Sequence, residues 1–172
     1  QPPIARNLLA IGRIHVEEGR LPAGAETLRR AVAAAEAIGA EDVLRLTGNP
    51  VLPGFTAPKI LWVRHNEPEI YARVKHILLP KDYVRLKLTG DYAMDKAGGA
   101  GTQLFDVAQR DFSPEVLETL DLDPGWLPPT FEGTAVTGTL TSAAAAATGL
   151  PQGIPIYGGG GDQAAAAVGT GT

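Results

Sequence analysis

The sequence predicts a helix-rich α/β fold with a helical hairpin at its N-terminal end, and three observations carry that reading. Apolar residues recur at helical spacing over residues 4–18 and again over 23–38. The 21 glycines and 14 prolines fall between apolar segments and do not form a low-complexity tract, so they punctuate elements. Two short apolar runs, at 134–140 and 154–158, have the length and composition of strands and are followed by helical stretches.

Element by element, Ile4, Leu8, Ile11 and Ile14 define the first helix, with Gly19 as its stop, and a second helix runs from Ala23 to Ile38, ending at Gly39. Residues 41–47 form a short helix closed by Gly48, followed by a loop to Phe55. Thr56 reads as a helix cap with Pro58 in the first turn, and the helix that follows ends near His65. A short helix follows Glu67-Pro68. The run His76-Ile77-Leu78-Leu79-Pro80 reads as a strand, and Lys81 to Leu88 as a helix closed by Thr89-Gly90. A glycine-rich segment spans 97–102, helices are expected at 113–121 and 141–149, and a last helix runs from Gln163 to Val168.

Hydrophobic residues make up 44% of the 172 and charged residues 20%, the balance of an ordinary globular chain with a sizeable core. A net charge of −4 offers no broad attraction to nucleic acid or to an anionic membrane. With no cysteine, disulfides and thiolate metal sites are excluded, and His15, His65 and His76 have no metal-motif spacing, so no metal ligands are assigned. No apolar run approaches a membrane span and no signal peptide opens the chain, so cytoplasm is the expected compartment. Gln1-Pro2-Pro3 at one end and Gly169-Thr170-Gly171-Thr172 at the other suggest an internal piece of a longer protein.

The chemistry concentrates in the segment from Ile154 to Gly169. A strand runs into Gly158-Gly159-Gly160-Gly161, and Asp162 then stands at the start of an alanine-rich helix. Glycines in series let backbone approach a ligand closely, and the first amides of the following helix are free donors. An Asp in this position has two readings: a helix cap, or a general base facing a cleft.

Three stretches resemble the FGGY family of carbohydrate kinases, in that family's order. They are Gly160-Gly161-Asp162-Gln163-Ala164-Ala165 with Gly169 closing; Leu46-Thr47-Gly48-Asn49-Pro50 through Gly54-Phe55-Thr56-Ala57-Pro58-Lys59 to Trp62; and Leu78-Leu79-Pro80-Lys81-Asp82-Tyr83 followed by Leu88-Thr89-Gly90. The similarity covers about residues 41–171, and the second stretch is closer to the xylulokinase branch than to glycerol or gluconate kinases. The resemblance implies a fold: residues 41–172 as part of a ribonuclease-H-like (actin-like ATPase) N-terminal domain, preceded at residues 1–40 by a helical hairpin that either diverged from the family or is foreign to it. It also implies an activity, the ATP-dependent, Mg²⁺-assisted phosphorylation of the ketopentose D-xylulose to xylulose 5-phosphate, in a protein that can be a homodimer. By the same resemblance Asp162 is the catalytic base, Gln163 binds a sugar hydroxyl, and Phe55 lies near the sugar pocket or anchors its loop. Lys81 and Asp82 are expected to fix a turn, and Trp62 to lie in the core.

The sequence departs from that family at several points. No Asp-x-Gly-Thr phosphate loop occurs in the 172 residues, and Ala97-Gly98-Gly99-Ala100 stands where relatives carry hydroxyls and a carboxylate. Ala166 replaces a usual glycine, and residues 1–25 match poorly. The 172-residue chain by itself is therefore expected not to consume ATP when xylulose is added, because the charge on the transferring phosphoryl group would go uncompensated; steady ATP consumption in a coupled assay would refute this. The alternative reading is a non-catalytic binding module. Gly12, Gly19, Leu28 and Ala31 fall near small and apolar positions of a tetratricopeptide repeat, whose period is about 34 residues. One copy cannot bury its own apolar face.

Overall fold

The computed structural model describes residues 39–52 and 54–171; the expected hairpin at 4–38, and with it the tetratricopeptide-like alternative, lies outside them. Helix α1, Ala40–Thr47, buries Val43, Leu46 and Thr47 and turns its charged residues outward. Gly48 ends it at φ 69°, where a side chain would be strained, and donates its N–H to the Leu44 carbonyl at 2.9 Å. Helix α2, Thr56–Asn66, places Ala57, Pro58, Ile60, Leu61 and Trp62 inward, as expected of Trp62. Thr56 is not its cap: Phe55 holds that position without a side-chain bond, and Thr56 is the first helical residue. The exposed-donor problem at this end is solved by a distant partner, since Ala57 N–H donates to the Thr102 carbonyl at 2.9 Å.

Helix α3, Pro68–Tyr71, follows directly, and α4, Pro80–Thr89, ends on Gly90 at φ 85°. Between them the expected strand at 76–80 does not form. Residues 74–79 are irregular; Ile77 makes one inter-segment backbone bond, to the Trp126 carbonyl at 2.8 Å, and Pro80 begins α4. Proline has no N–H to extend a ladder, and its fixed φ favours the first helical turn.

The remaining elements alternate. Strand β1 (Met94–Asp95) leads into the five-residue helix α5 (Lys96–Ala100), then β2 (Phe105–Asp106), β3 (Asp111–Phe112) and α6 (Pro114–Thr119). A single 3₁₀ turn at Pro124–Trp126 precedes β4 (Thr130–Phe131), β5 (Val136–Thr139), α7 (Ser142–Thr148), β6 (Pro155–Tyr157) and α8 (Asp162–Thr170). The strands expected at 134–140 and 154–158 thus form β5 and β6, pairing antiparallel with Val136 opposite Tyr157 and a bulge between Val136 and Gly138. The other pairs are two residues long and were not foreseen: β2 with β3 antiparallel, and β1 with β4 parallel. The parallel pair needs a long crossover, supplied by the β2–β3 hairpin and α6. The architecture is α/β with helices dominating.

The core lies where α1, α2, β2 and α6 meet. Leu46, Ile60, Leu61, Leu104, Val116 and Leu117 are its buried members, and Trp126 packs on its edge, 5.2 Å from Tyr71 in an edge-to-face pair. No helix among the described residues is long and apolar enough to cross a membrane.

Candidate functional site

Strand β6 delivers the chain into the four-glycine turn, whose packing explains its composition. Gly158 N–H donates to the Ala135 carbonyl at 2.9 Å and Gly159 N–H to the Gly133 carbonyl at 3.0 Å. This is backbone against backbone. A Cβ on Gly158 would sit 2.7 Å from the Glu132 carbonyl oxygen, and one on Gly133 would run into the carbonyl oxygen of Gly159. Gly159 has φ 82°, which L side chains rarely adopt. A Cβ on Gly161 would come to 3.9 Å from the Ala97 carbonyl oxygen, an ordinary van der Waals distance, so this glycine is not required by close packing.

Asp162 follows as the first residue of α8, with Gly161 in the cap position. Its side chain is exposed, and Oδ1 accepts the N–H of Gln163 at 2.8 Å. The carboxylate is thus oriented by its own helix and open on the other side. Gln163 is exposed beside it. Phe55 is half-buried at the start of α2, in a loop tied to the far end of α5: Asn49 Nδ2 donates to the Ala100 carbonyl at 3.3 Å, in addition to the Ala57–Thr102 bond. Asp162 and Gln163 are therefore consecutive on one helix, whereas Phe55 lies on a loop tied to the opposite end of α5.

Beneath α5 lies a charge cluster the sequence reading only half anticipated. Lys81 Nζ donates to Asp82 Oδ1 at 2.8 Å and to Asp95 Oδ2, and Asp95 Oδ1 accepts the Gly98 N–H at 2.7 Å, capping α5. Asp82 and Asp95 are 1% and 0% exposed. Lys81 and Asp82 stand in the first turn of α4, which has no side-chain cap bond, and their partner Asp95 comes from β1. The signal for it was present: an acidic residue three before Gly98 is an N-cap pattern. Arg85, one turn on from Asp82, is buried with all three guanidinium nitrogens lacking a hydrogen-bond partner among the described residues.

Burial pushes the Asp82 carboxyl above its ordinary value of 3.8, outweighing the hydrogen bond and charge of Lys81. Burial likewise pushes the Arg85 guanidinium below its ordinary range, against the pull of Asp82, Asp95 and Asp91. For Asp82 the native state holds the proton more tightly than the unfolded chain. Stability contributed by this group is therefore lost as pH rises from 3.8 through the raised folded value. Urea unfolding of wild type and Asp82→Asn between about pH 3 and pH 8 should show wild type losing ground to the variant across that window. Parallel curves would contradict the assignment.

Among the described residues no three His, Asp or Glu side chains converge to hold a metal ion. The cluster around Lys81 does not fit one either, since an ammonium already sits between its two carboxylates.

The family model for the N-terminal domain of FGGY carbohydrate kinases matches residues 25–169. The xylulose kinase of Escherichia coli (strain K12) is 48% identical over 126 residues, covering 73% of this chain and 26% of that protein. A crystal structure titled as a xyloylose kinase from Brucella ovis superposes with a TM-score of 0.73 at 44% identity, over 79% of this chain and 28% of that one. The xylulose kinase structure from Rhodospirillum rubrum gives 0.78 at 30% identity, over 83% of this chain and 29% of that one. The chain thus spans about a quarter of the length of the xylulose kinase from E. coli. A family match across most of the chain, together with a glycine turn that sets an open carboxylate at the head of α8, makes this chain a member of the FGGY family of carbohydrate kinases.

Proposed function

We propose that this chain supplies the sugar side of an ATP-dependent kinase that converts D-xylulose to xylulose 5-phosphate. The observation that carries the reading is the exposed Asp162 carboxylate, held by Gln163 N–H on one oxygen and open on the other. In the proposed reaction the sugar hydroxyl oxygen attacks the γ-phosphorus of ATP, the bond to the β–γ bridging oxygen breaks, and Asp162 takes the hydroxyl proton. Gln163 hydrogen-bonds a sugar hydroxyl beside it, and Phe55 shapes the pocket from its loop. Bound Mg²⁺ would offset phosphate charge, and the compartment is the cytoplasm. Phosphoryl transfer asks mainly for positioning and charge stabilisation, so a rigid turn carrying one carboxylate suits the role.

The similarity of relatives named as xylulose kinases favours that ketopentose over other polyols. The test is a chimaera in which residues 41–170 replace the matching segment of the E. coli xylulose kinase, assayed with xylulose, glycerol and gluconate. Phosphorylation of xylulose above the other two is expected. A folded chimaera that phosphorylates none of them, or prefers glycerol, would overturn the proposal.

A further inference from the structure

We propose that the open cavity between α3, α6 and the 3₁₀ turn binds a linear polyammonium ion of the polyamine class. None of its residues belongs to the segments that present Asp162, Gln163 or Phe55, so the inference stands apart from the proposed kinase reaction. The cavity measures about 420 Å³, a volume usual for small-molecule sites.

Its walls are of three kinds. Tyr71 and Trp126, both half-buried, form an edge-to-face pair with ring centroids 5.2 Å apart. Aromatic faces attract ammonium groups, and tryptophan does so most strongly. Leu117 and Leu122, 5% and 6% exposed, supply apolar surface on which methylene groups can lie. The carboxylates of Glu118, Asp121 and Asp123 complete the lining, and all three residues are exposed.

These carboxylates keep their charge. Asp123 Oδ1 accepts the Gly125 N–H at 2.8 Å, which orients the group without neutralising it. Glu118 lies in the last turn of α6 and Asp121 just beyond it, at the end of a helix where free carbonyls favour cations. Arg64 approaches the same end, but its Nη1 donates to the backbone carbonyl of Leu120 at 2.7 Å. No ion pair among the described residues involves any of the three carboxylates.

The arrangement selects the class of cation. A single metal ion is the wrong occupant, because no three acidic or histidine side chains among the described residues converge on one point. The negative charge is instead spread around a cavity that also offers aromatic and aliphatic surface. A lysine side chain would answer only one of the carboxylates. A polyamine carries several ammonium groups separated by short methylene runs, so each charge can meet a carboxylate or a ring while the methylenes cover Leu117 and Leu122.

The test is an NMR titration of the 172-residue chain with spermidine, putrescine, magnesium chloride and N-acetyl-trilysine amide, at constant low ionic strength. The indole N–H resonance of Trp126 reports on the cavity, and that of Trp62, which lies in the core, is the internal control. Spermidine should shift Trp126 saturably with a Kd of about 1 mM, the sum of several weak exposed contacts. Putrescine should bind more weakly, magnesium should shift Trp126 little, and Trp62 should stay in place. Glu118→Gln combined with Asp121→Asn should weaken spermidine binding about tenfold at an unchanged melting temperature. Asparagine suits position 121, where φ is 52°. Trp126→Leu, followed through the backbone amides of 117–123, should weaken binding about threefold; if that variant does not fold, the charge variant decides. Equal shifts with magnesium and spermidine, joint movement of the two tryptophans, or undiminished binding by the folded charge variant would overturn the site. Tighter binding of the trilysine peptide than of spermidine would overturn the polyamine class and point to a basic polypeptide segment.

Discussion

Asp162→Asn in the chimaera should lower kcat for xylulose phosphorylation by about 10²- to 10⁴-fold, the usual contribution of a positioned general base. Asparagine keeps the shape and can still accept the Gln163 N–H through its amide oxygen, so the turn and the start of α8 are preserved. What it loses is the ability to take a proton. The KM for ATP should stay near that of the unmutated chimaera, since no phosphate contact is removed. Asp162→Ala should be slightly more damaging, because it also removes the local bond at the head of α8. Steady-state kinetics on the three proteins decide the matter. Near-normal turnover by Asp162→Asn would show that the carboxylate only orients its helix, the other reading that the sequence left open for this position.

The second large effect concerns stability. Leu104 is fully buried among α2, β2 and α6, and its backbone carbonyl accepts the Ser113 N–H at 2.8 Å. Leu104→Ala should destabilise the 172-residue chain by about 2–5 kcal/mol, the lost transfer energy plus the cavity left in a core that cannot collapse around it. Against a total stability of about 5–15 kcal/mol for an ordinary domain, that is a large fraction. Val168, 83% exposed on α8, is the control, and Val168→Ala should change stability by less than about 0.5 kcal/mol. Urea denaturation followed by circular dichroism measures both. Equal midpoints for the two variants would mean that Leu104 is not in the cooperative core.

Arg85 is the least satisfied buried charge among the described residues. The residue is 5% exposed, with Asp82, Asp95 and Asp91 near its guanidinium yet bonded to none among the described residues. Burial of that kind is costly, and the neighbouring negative charge offsets only part of the cost.

Local signals were enough for much of the fold. Gly48 and Gly90 end their helices at positive φ as the glycine–helix pattern implied, and the apolar runs at 134–140 and 154–158 contain the strands β5 and β6. These features depend on backbone freedom and periodicity within a few residues, which is the information a sequence carries on its surface. The turn 158–161 and the place of Asp162 at the head of α8 belong to the same class. Tertiary contacts decided the rest. Residues 76–79 have strand composition but stay irregular, because Pro80 starts a helix and a single bond to Trp126 is no ladder. Thr56 is not a cap, because the Thr102 carbonyl, 45 residues away from Ala57, meets that helix end. The pairing of Lys81 with Asp95 joins α4 to β1 across 14 residues and buries two carboxylates, which no local pattern encodes. By itself the sequence determined which acidic residue stands at the head of α8 and what turn presents it; only the folded chain decided what holds that turn in place, because the glycines that let backbone approach backbone have no side chains to name their partners.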